Sequence, residues 1–126
     1  MNPNLIQIRN KIRTVFGKVA ALVFAQAVHE TGYFRSDIFI NNRNLFGMKL
    51  ARVRPTTAIG ERSGHAVYNS IDDSIRDFEL WLIYNKFDFS RDWSPEDYAT
   101  WLKQKGYYQD DYANYLKGLK NGLKYA

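Results

Sequence analysis

The sequence predicts an α+β fold dominated by helix. Three observations carry this reading: apolar residues recur at helical spacing in five separate stretches, most of these stretches are bounded by recognisable start or stop residues, and two short β-type runs flank a single Gly-containing turn. Leu5, Ile8, Ile12, Val15 and Phe16 alternate with Arg9, Lys11 and Arg13, which predicts an amphipathic helix over 4–15 that Gly17 ends. Residues 18–31 form the second helix. From Ala20 to Val28 it is apolar apart from Gln26, the pattern of a helix buried on most sides. Gly32 stands where a left-handed C-terminal cap belongs. Residues 33–50 show neither period and are expected as an ordered loop. Thr56–Ile59 and His65–Tyr68, on either side of Gly60–Gly64, predict a hairpin. Ser70, followed by Asp72 and Asp73, starts a helix to about Asn85 with Ile71, Ile75, Phe78 and Leu82 on one face. Ser94-Pro95 starts another, which stops at Gly106, and a last helix covers about 111–124.

The 126 residues fit one domain, 1–126, with no repeat, linker or low-complexity tract. A hydrophobic content of 45% suffices for a core, and the 16% aromatic content suits both that core and a cleft that stacks on sugar rings. The chain has no cysteine, so disulfides and thiolate chemistry are excluded. The two histidines, His29 and His65, lack metal-ligand spacing, and neither a Gly-rich phosphate loop nor a GxSxG elbow is present. No metal or cofactor is therefore expected. No run of about 18 apolar residues suggests a membrane span, and the amino terminus lacks the order of a secretory signal. Net charge is +5 but unevenly spread. Residues 1–71 hold ten Arg/Lys against three Asp/Glu, while residues 72–126 hold eight against ten. The basic half should favour polyanions, nucleic acid or an anionic cell-wall polymer.

With metals and nucleophilic triads set aside, the carboxylates remain. Glu30 is one of only three acids in the first 71 residues, with Asp37 and Glu61, and it lies in the last turn of the most apolar helix. The carbonyl end of a helix disfavours an anion, and burial beside Tyr33 and Phe34 would do the same, so its carboxyl should hold a proton more readily than a free Glu. A general acid acting on a glycosidic oxygen near neutral pH needs that property. Placement alone also allows a helix-end Glu with no role.

Ala25-Gln26-Ala27-Val28-His29-Glu30-Thr31-Gly32-Tyr33, with Ser36 shortly after, and then Asn44-Leu45-Phe46-Gly47-Met48-Lys49 resemble the glucosaminidase family of peptidoglycan hydrolases (glycoside hydrolase family 73). A third block, Tyr68 to Ile75, and a fourth, Gly106-Tyr107-Tyr108-Gln109-Asp110, extend the likeness over nearly the whole chain. The resemblance implies a lysozyme-like fold in which a helical lobe and a small β-hairpin lobe flank a cleft. It also implies hydrolysis of the β-1,4 bond between N-acetylglucosamine and N-acetylmuramic acid, with Glu30 as general acid. Where the family often carries an acid after a Thr-rich strand, this chain has Ala58 after Thr56-Thr57. Glu61 is the candidate second carboxylate, with Asp37 and the substrate's own acetamido group as alternatives, and retention or inversion stays open. Gln26, Tyr33, Asn44, Tyr107 and Tyr108 are the expected substrate-binding residues. Gln26 is one turn before Glu30, Asn44 is also suited to fixing its own loop, and His29 is expected to point away from Glu30. Arg35, Arg43, Lys49, Arg52 and Arg54 are expected to steer an anionic polymer.

The expected partner is the glycan strand of peptidoglycan, bound by a monomer without nucleic acid and without membrane insertion. The expected setting is the bacterial cell wall, as a wall enzyme or a bacteriophage lysis or virion protein. A muramidase or lytic transglycosylase cutting the neighbouring bond, and an inactive wall-binding module of the same fold, are the competing readings.

Overall fold

The computed structural model describes residues 3–126. Six α-helices and a two-stranded sheet follow in the order α1 Pro3–Phe16, α2 Ala20–Glu30, α3 Asp37–Asn42, β1 Gly60–Arg62, β2 His65–Val67, α4 Ile71–Tyr84, α5 Pro95–Gln104 and α6 Tyr112–Gly122. Short 3-10 turns join α1 to α2 and extend α6 to Tyr125. The fold is mostly helical with one small antiparallel hairpin, the α+β lysozyme-like architecture the sequence predicts.

α2 is the central helix. Eight of its eleven residues are buried, including Val23, Ala25 and Ala27 at 0% exposure, and it packs between α1 and α6. By length and mean hydropathy alone, the helical run Asn4–Glu30 would be long enough to cross a membrane, which the reading of single apolar runs did not anticipate. In the fold, 61% of its most apolar window is buried inside the protein.

α2 closes as its sequence predicts. Gly32 takes the left-handed conformation, Tyr33 N donates to Val28 O at 2.9 Å, and Gly32 N donates to His29 O at 3.3 Å. Thr31, 1% exposed, donates its hydroxyl to Ala27 O and accepts from Phe34 N.

Two local expectations change. The 33–50 segment is not loop throughout, because Asp37–Asn42 form α3. Ser36 caps it by accepting from Phe39 N at 3.1 Å, and Arg43 ends it in the left-handed region. Six residues are too few to display a helical period. The hairpin exists, but its first strand is Gly60–Arg62 rather than Thr56–Ile59, around a two-residue Ser63-Gly64 turn with both φ positive. Thr56 and Thr57 instead turn their hydroxyls to α4, onto the Asp77 carboxylate at 2.7 Å and the Asp73 carbonyl at 2.5 Å.

A buried cluster fixes this segment. Asp77, 0% exposed, accepts from Arg54 Nη1 at 2.7 Å, from the Thr56 hydroxyl and from the Tyr68 hydroxyl at 2.5 Å. The 51–58 segment and the end of the hairpin are thereby tied to α4.

Candidate active site

Glu30 is the last residue of α2, and its position depends on α6. Gly122 sits against the backbone of α2, where a Cβ would lie 2.4 Å from Ala25 O. Gly118, one turn earlier, sits against His29, where a Cβ would lie 2.2 Å from the ring. Two glycines four residues apart let the helices approach closely. Tyr115, the next turn along, then reaches Glu30 and donates its hydroxyl to Oε1 at 3.0 Å. Tyr115 is held in turn by a Tyr108 ring stacked at 3.8 Å and by an edge contact from His29 at 5.0 Å. On the other side, Gly47 leaves room for the acid, since a Cβ there would lie 3.2 Å from Glu30 Oε2. Its φ of +64° also favours glycine.

Burial raises the Glu30 pKa from 4.5 to about 7, opposed by the Tyr115 hydrogen bond, which favours the carboxylate. The direction is the one expected, but the surroundings differ. Tyr33 and Phe34 follow Gly32 into the left-handed region and line other cavities. The groups around Glu30 are Phe46, Tyr107 and Tyr115, contributed by distant parts of the chain. With Oε1 accepting from Tyr115, the proton of the neutral acid belongs on Oε2.

Glu30 opens into a cavity of about 310 Å³ that also contacts His29, Gln109 and Asp110. A second cavity of about 400 Å³ shares Gly47, Tyr107 and Gln109 with it and continues past Lys49, Arg52 and Trp81, so the two form one cleft. Tyr107 is the wall common to both arms. Its hydroxyl donates to Phe46 O, and burial holds its pKa well above the ordinary value. Tyr108 also lines the Glu30 cavity, but its hydroxyl is bound to Ala99 O at 2.9 Å and burial pushes its pKa up to about 12. Tyr108 therefore braces Tyr115.

Other expected site residues lie elsewhere. Asn44 is 1% exposed. It donates to Met48 O and Ala66 O, each at 2.9 Å, and accepts from Phe46 N and Met48 N. Its amide thus fixes its own loop, the first of the two roles expected for it, and both amide hydrogens are taken by backbone carbonyls. Gln26 is fully buried, accepts from the Tyr98 hydroxyl at 2.5 Å, and lines neither arm of the cleft. Its amide nitrogen favours ionisation of the Tyr107 hydroxyl but is itself buried without a hydrogen-bond partner among the described residues. Tyr33 packs edge-on against Tyr125 at 4.9 Å, away from the Glu30 cavity. Glu61, on β1, is exposed, lies 3.9 Å from Arg52 and lines neither arm. Asp37 is exposed in the first turn of α3.

The Glu30 cavity is also lined by His29, which was expected to point away from Glu30, and by Asp110, which the sequence motif contains but which was not singled out as an acid. His29 is brought there by α6 despite preceding Glu30 on the helix, and burial lowers its pKa while Asp110 raises it. Asp110 is the one other carboxylate among the described residues lining that cavity. Its place in the fourth sequence block was the available signal. Of the five basic residues expected to steer a polymer, Lys49, Arg52 and Arg54 line the cleft, whereas Arg35 lines a separate cavity beside α1.

Protein bax of Escherichia coli (strain K12) is 36% identical over 55 residues, which cover 44% of this chain and 20% of that protein. The chain thus spans about a fifth of the length of the curated relative it matches. No solved structure matches it. The family model Glucosaminidase, described as mannosyl-glycoprotein endo-beta-N-acetylglucosaminidase, matches residues 7–125, nearly the whole chain. The chain belongs to the Glucosaminidase family.

Proposed function

We propose that this chain is a peptidoglycan hydrolase that cleaves the β-1,4 bond between N-acetylglucosamine and N-acetylmuramic acid, with Glu30 as general acid. The observation that carries this is a carboxyl raised to about 7 by burial, oriented by Tyr115 and open to a cleft. A carboxyl titrating there is about half protonated at neutral pH and still acidic enough to give up its proton as the glycosidic bond breaks. Glu30 Oε2 delivers that proton to the leaving oxygen, while Tyr115 stabilises the carboxylate that remains.

The oxocarbenium-like charge that develops on the sugar needs an offset. Asp110 replaces Glu61 in this role, because Asp110 lines the Glu30 cavity and Glu61 does not. Tyr107 forms the cleft wall beside the scissile bond. The reaction belongs where peptidoglycan is accessible, outside the bacterial inner membrane or at a wall breached from within.

Purified protein is incubated with insoluble peptidoglycan, and the new reducing ends are identified. New N-acetylglucosamine ends support the proposal. N-acetylmuramic acid ends would make the chain a muramidase, and 1,6-anhydro ends a lytic transglycosylase. Glu30→Gln should lower turnover by about 10²–10⁴-fold. Wild type no faster than this variant would leave only a wall-binding role.

A further inference from the structure

The arm of the cleft beyond Tyr107 has a composition that the hydrolytic chemistry does not require. One wall is aromatic. Trp81 is half-buried, lies parallel to Phe78 at 5.8 Å and is held edge-on by Trp101 and Tyr107. Tyr84, one turn further along α4, is 53% exposed. A fixed indole and an open phenol at the mouth of a groove form a stacking surface for a sugar ring.

The same arm is also cationic. Lys49, Arg52 and Arg54 line it, and no Asp or Glu lines this arm. The three cations are not equivalent. Arg54 is buried on Asp77, so its charge is already compensated. Arg52 is 72% exposed in its side chain and reaches Glu61 only at 3.9 Å, and Lys49 is exposed with no ion-pair partner among the described residues. The arm, about 400 Å³ in all, therefore combines two cations with little compensation and two aromatic side chains.

We propose that this arm is a subsite for a carboxylate-bearing sugar: an N-acetylmuramic acid unit stacks on Trp81 and Tyr84 while a carboxylate of its lactyl group or peptide stem pairs with Lys49 and Arg52. This rests on the peptidoglycan reading of the Glu30 site and goes beyond it, because a neutral chain of N-acetylglucosamine would fill the same cleft and leave both cations unused. The subsite makes the enzyme selective for muramyl glycan over neutral glycan. The selectivity weakens with salt, as expected for exposed charges.

The test compares one substrate in two forms: soluble muramyl-glycan chains with free carboxylates, and the same chains after conversion of those carboxylates to neutral carboxamides. For wild type, amidation should lower kcat/KM about tenfold, mainly through KM. In the Lys49→Gln/Arg52→Gln double variant, that ratio should collapse to within about twofold. Running the comparison with stem-bearing and stem-free chains tells a stem carboxylate from the lactyl one. Wild type indifferent to amidation, or a double variant that keeps the full preference, overturns the subsite. If wild type cleaves neither form, the hydrolase reading fails, and calorimetric titration of both forms decides the subsite separately: tighter binding of the free-carboxylate form upholds it, and equal affinity overturns it.

Discussion

The two walls of the cleft are built by different means. The wall that carries Glu30 is helix on helix. Gly118 and Gly122 bring α6 onto α2, and Tyr115 meets the acid where the two helices are tightly packed. The wall that carries Lys49 and Arg52 is irregular chain, anchored by Asn44 to the hairpin and by Arg54 and Thr56 to the single carboxylate of Asp77. The first wall holds the Glu30 carboxyl between close-packed helices and a tyrosine hydrogen bond. The second holds Lys49 and Arg52 at the cleft without a close ion pair on either among the described residues, an arrangement better suited to recognition than to catalysis. The difference separates what must be rigid for proton transfer from what need only be close for binding.

The largest effect should come from breaking the anchor of the second wall. Asp77→Ala leaves the Arg54 guanidinium buried without its partner and should lower stability by ~3–5 kcal/mol in urea unfolding. A loss below ~1 kcal/mol would mean that Asp77 does not hold that wall. Gly122→Ala tests the first wall. It places a methyl group against the Ala25 carbonyl and should cost ~1–3 kcal/mol despite the better helix propensity of alanine. Because α6 carries Tyr115, turnover should fall with it. A stability equal to wild type would show that the helices can separate without penalty.

How much of this was legible follows the same division. The helices could be read from period and caps: Gly32 closes α2 and Ser70, Ser94 and the acids after them open α4 and α5 as expected. Glu30 could be read because its helix is greasy and its motif is local. Its surroundings could be read only in part: the fourth block pointed to Tyr107, whereas the contact with Tyr115 is made only by packing of a helix from far along the chain. The same packing brings His29 to the cavity, against the direction its helical position alone suggests. Asn44 stayed open between two roles. A buried amide with four backbone partners and an amide aimed at a sugar look identical in sequence. Asp110 was quoted within a motif and not weighed as an acid, since nothing local separates a loop aspartate from one that lines a cavity.

Smaller changes sharpen the account of the first wall. Tyr115→Phe removes only the hydroxyl that favours the Glu30 carboxylate. Turnover should fall about tenfold from the lost orientation. Because the lost hydrogen bond lowered the Glu30 pKa, the alkaline limb of the pH profile should move to higher pH. A limb that stays in place, or moves down, would contradict the assigned role. The smallest effect is expected at Glu61. Its contact with Arg52 is long and exposed, so Glu61→Gln should change kcat by less than about threefold, while Asp110→Asn lowers it further. The reverse order would return the second carboxylate to the hairpin.

The central claim is that Glu30 is a desolvated acid whose proton drives bond cleavage. The most direct measurement is the titration of its side-chain carboxyl by carbon-13 NMR, with Glu30→Gln assigning the signal. The account predicts a midpoint near 7, with kcat/KM declining above that pH as the proton is lost. A midpoint near the ordinary 4.5 would contradict it.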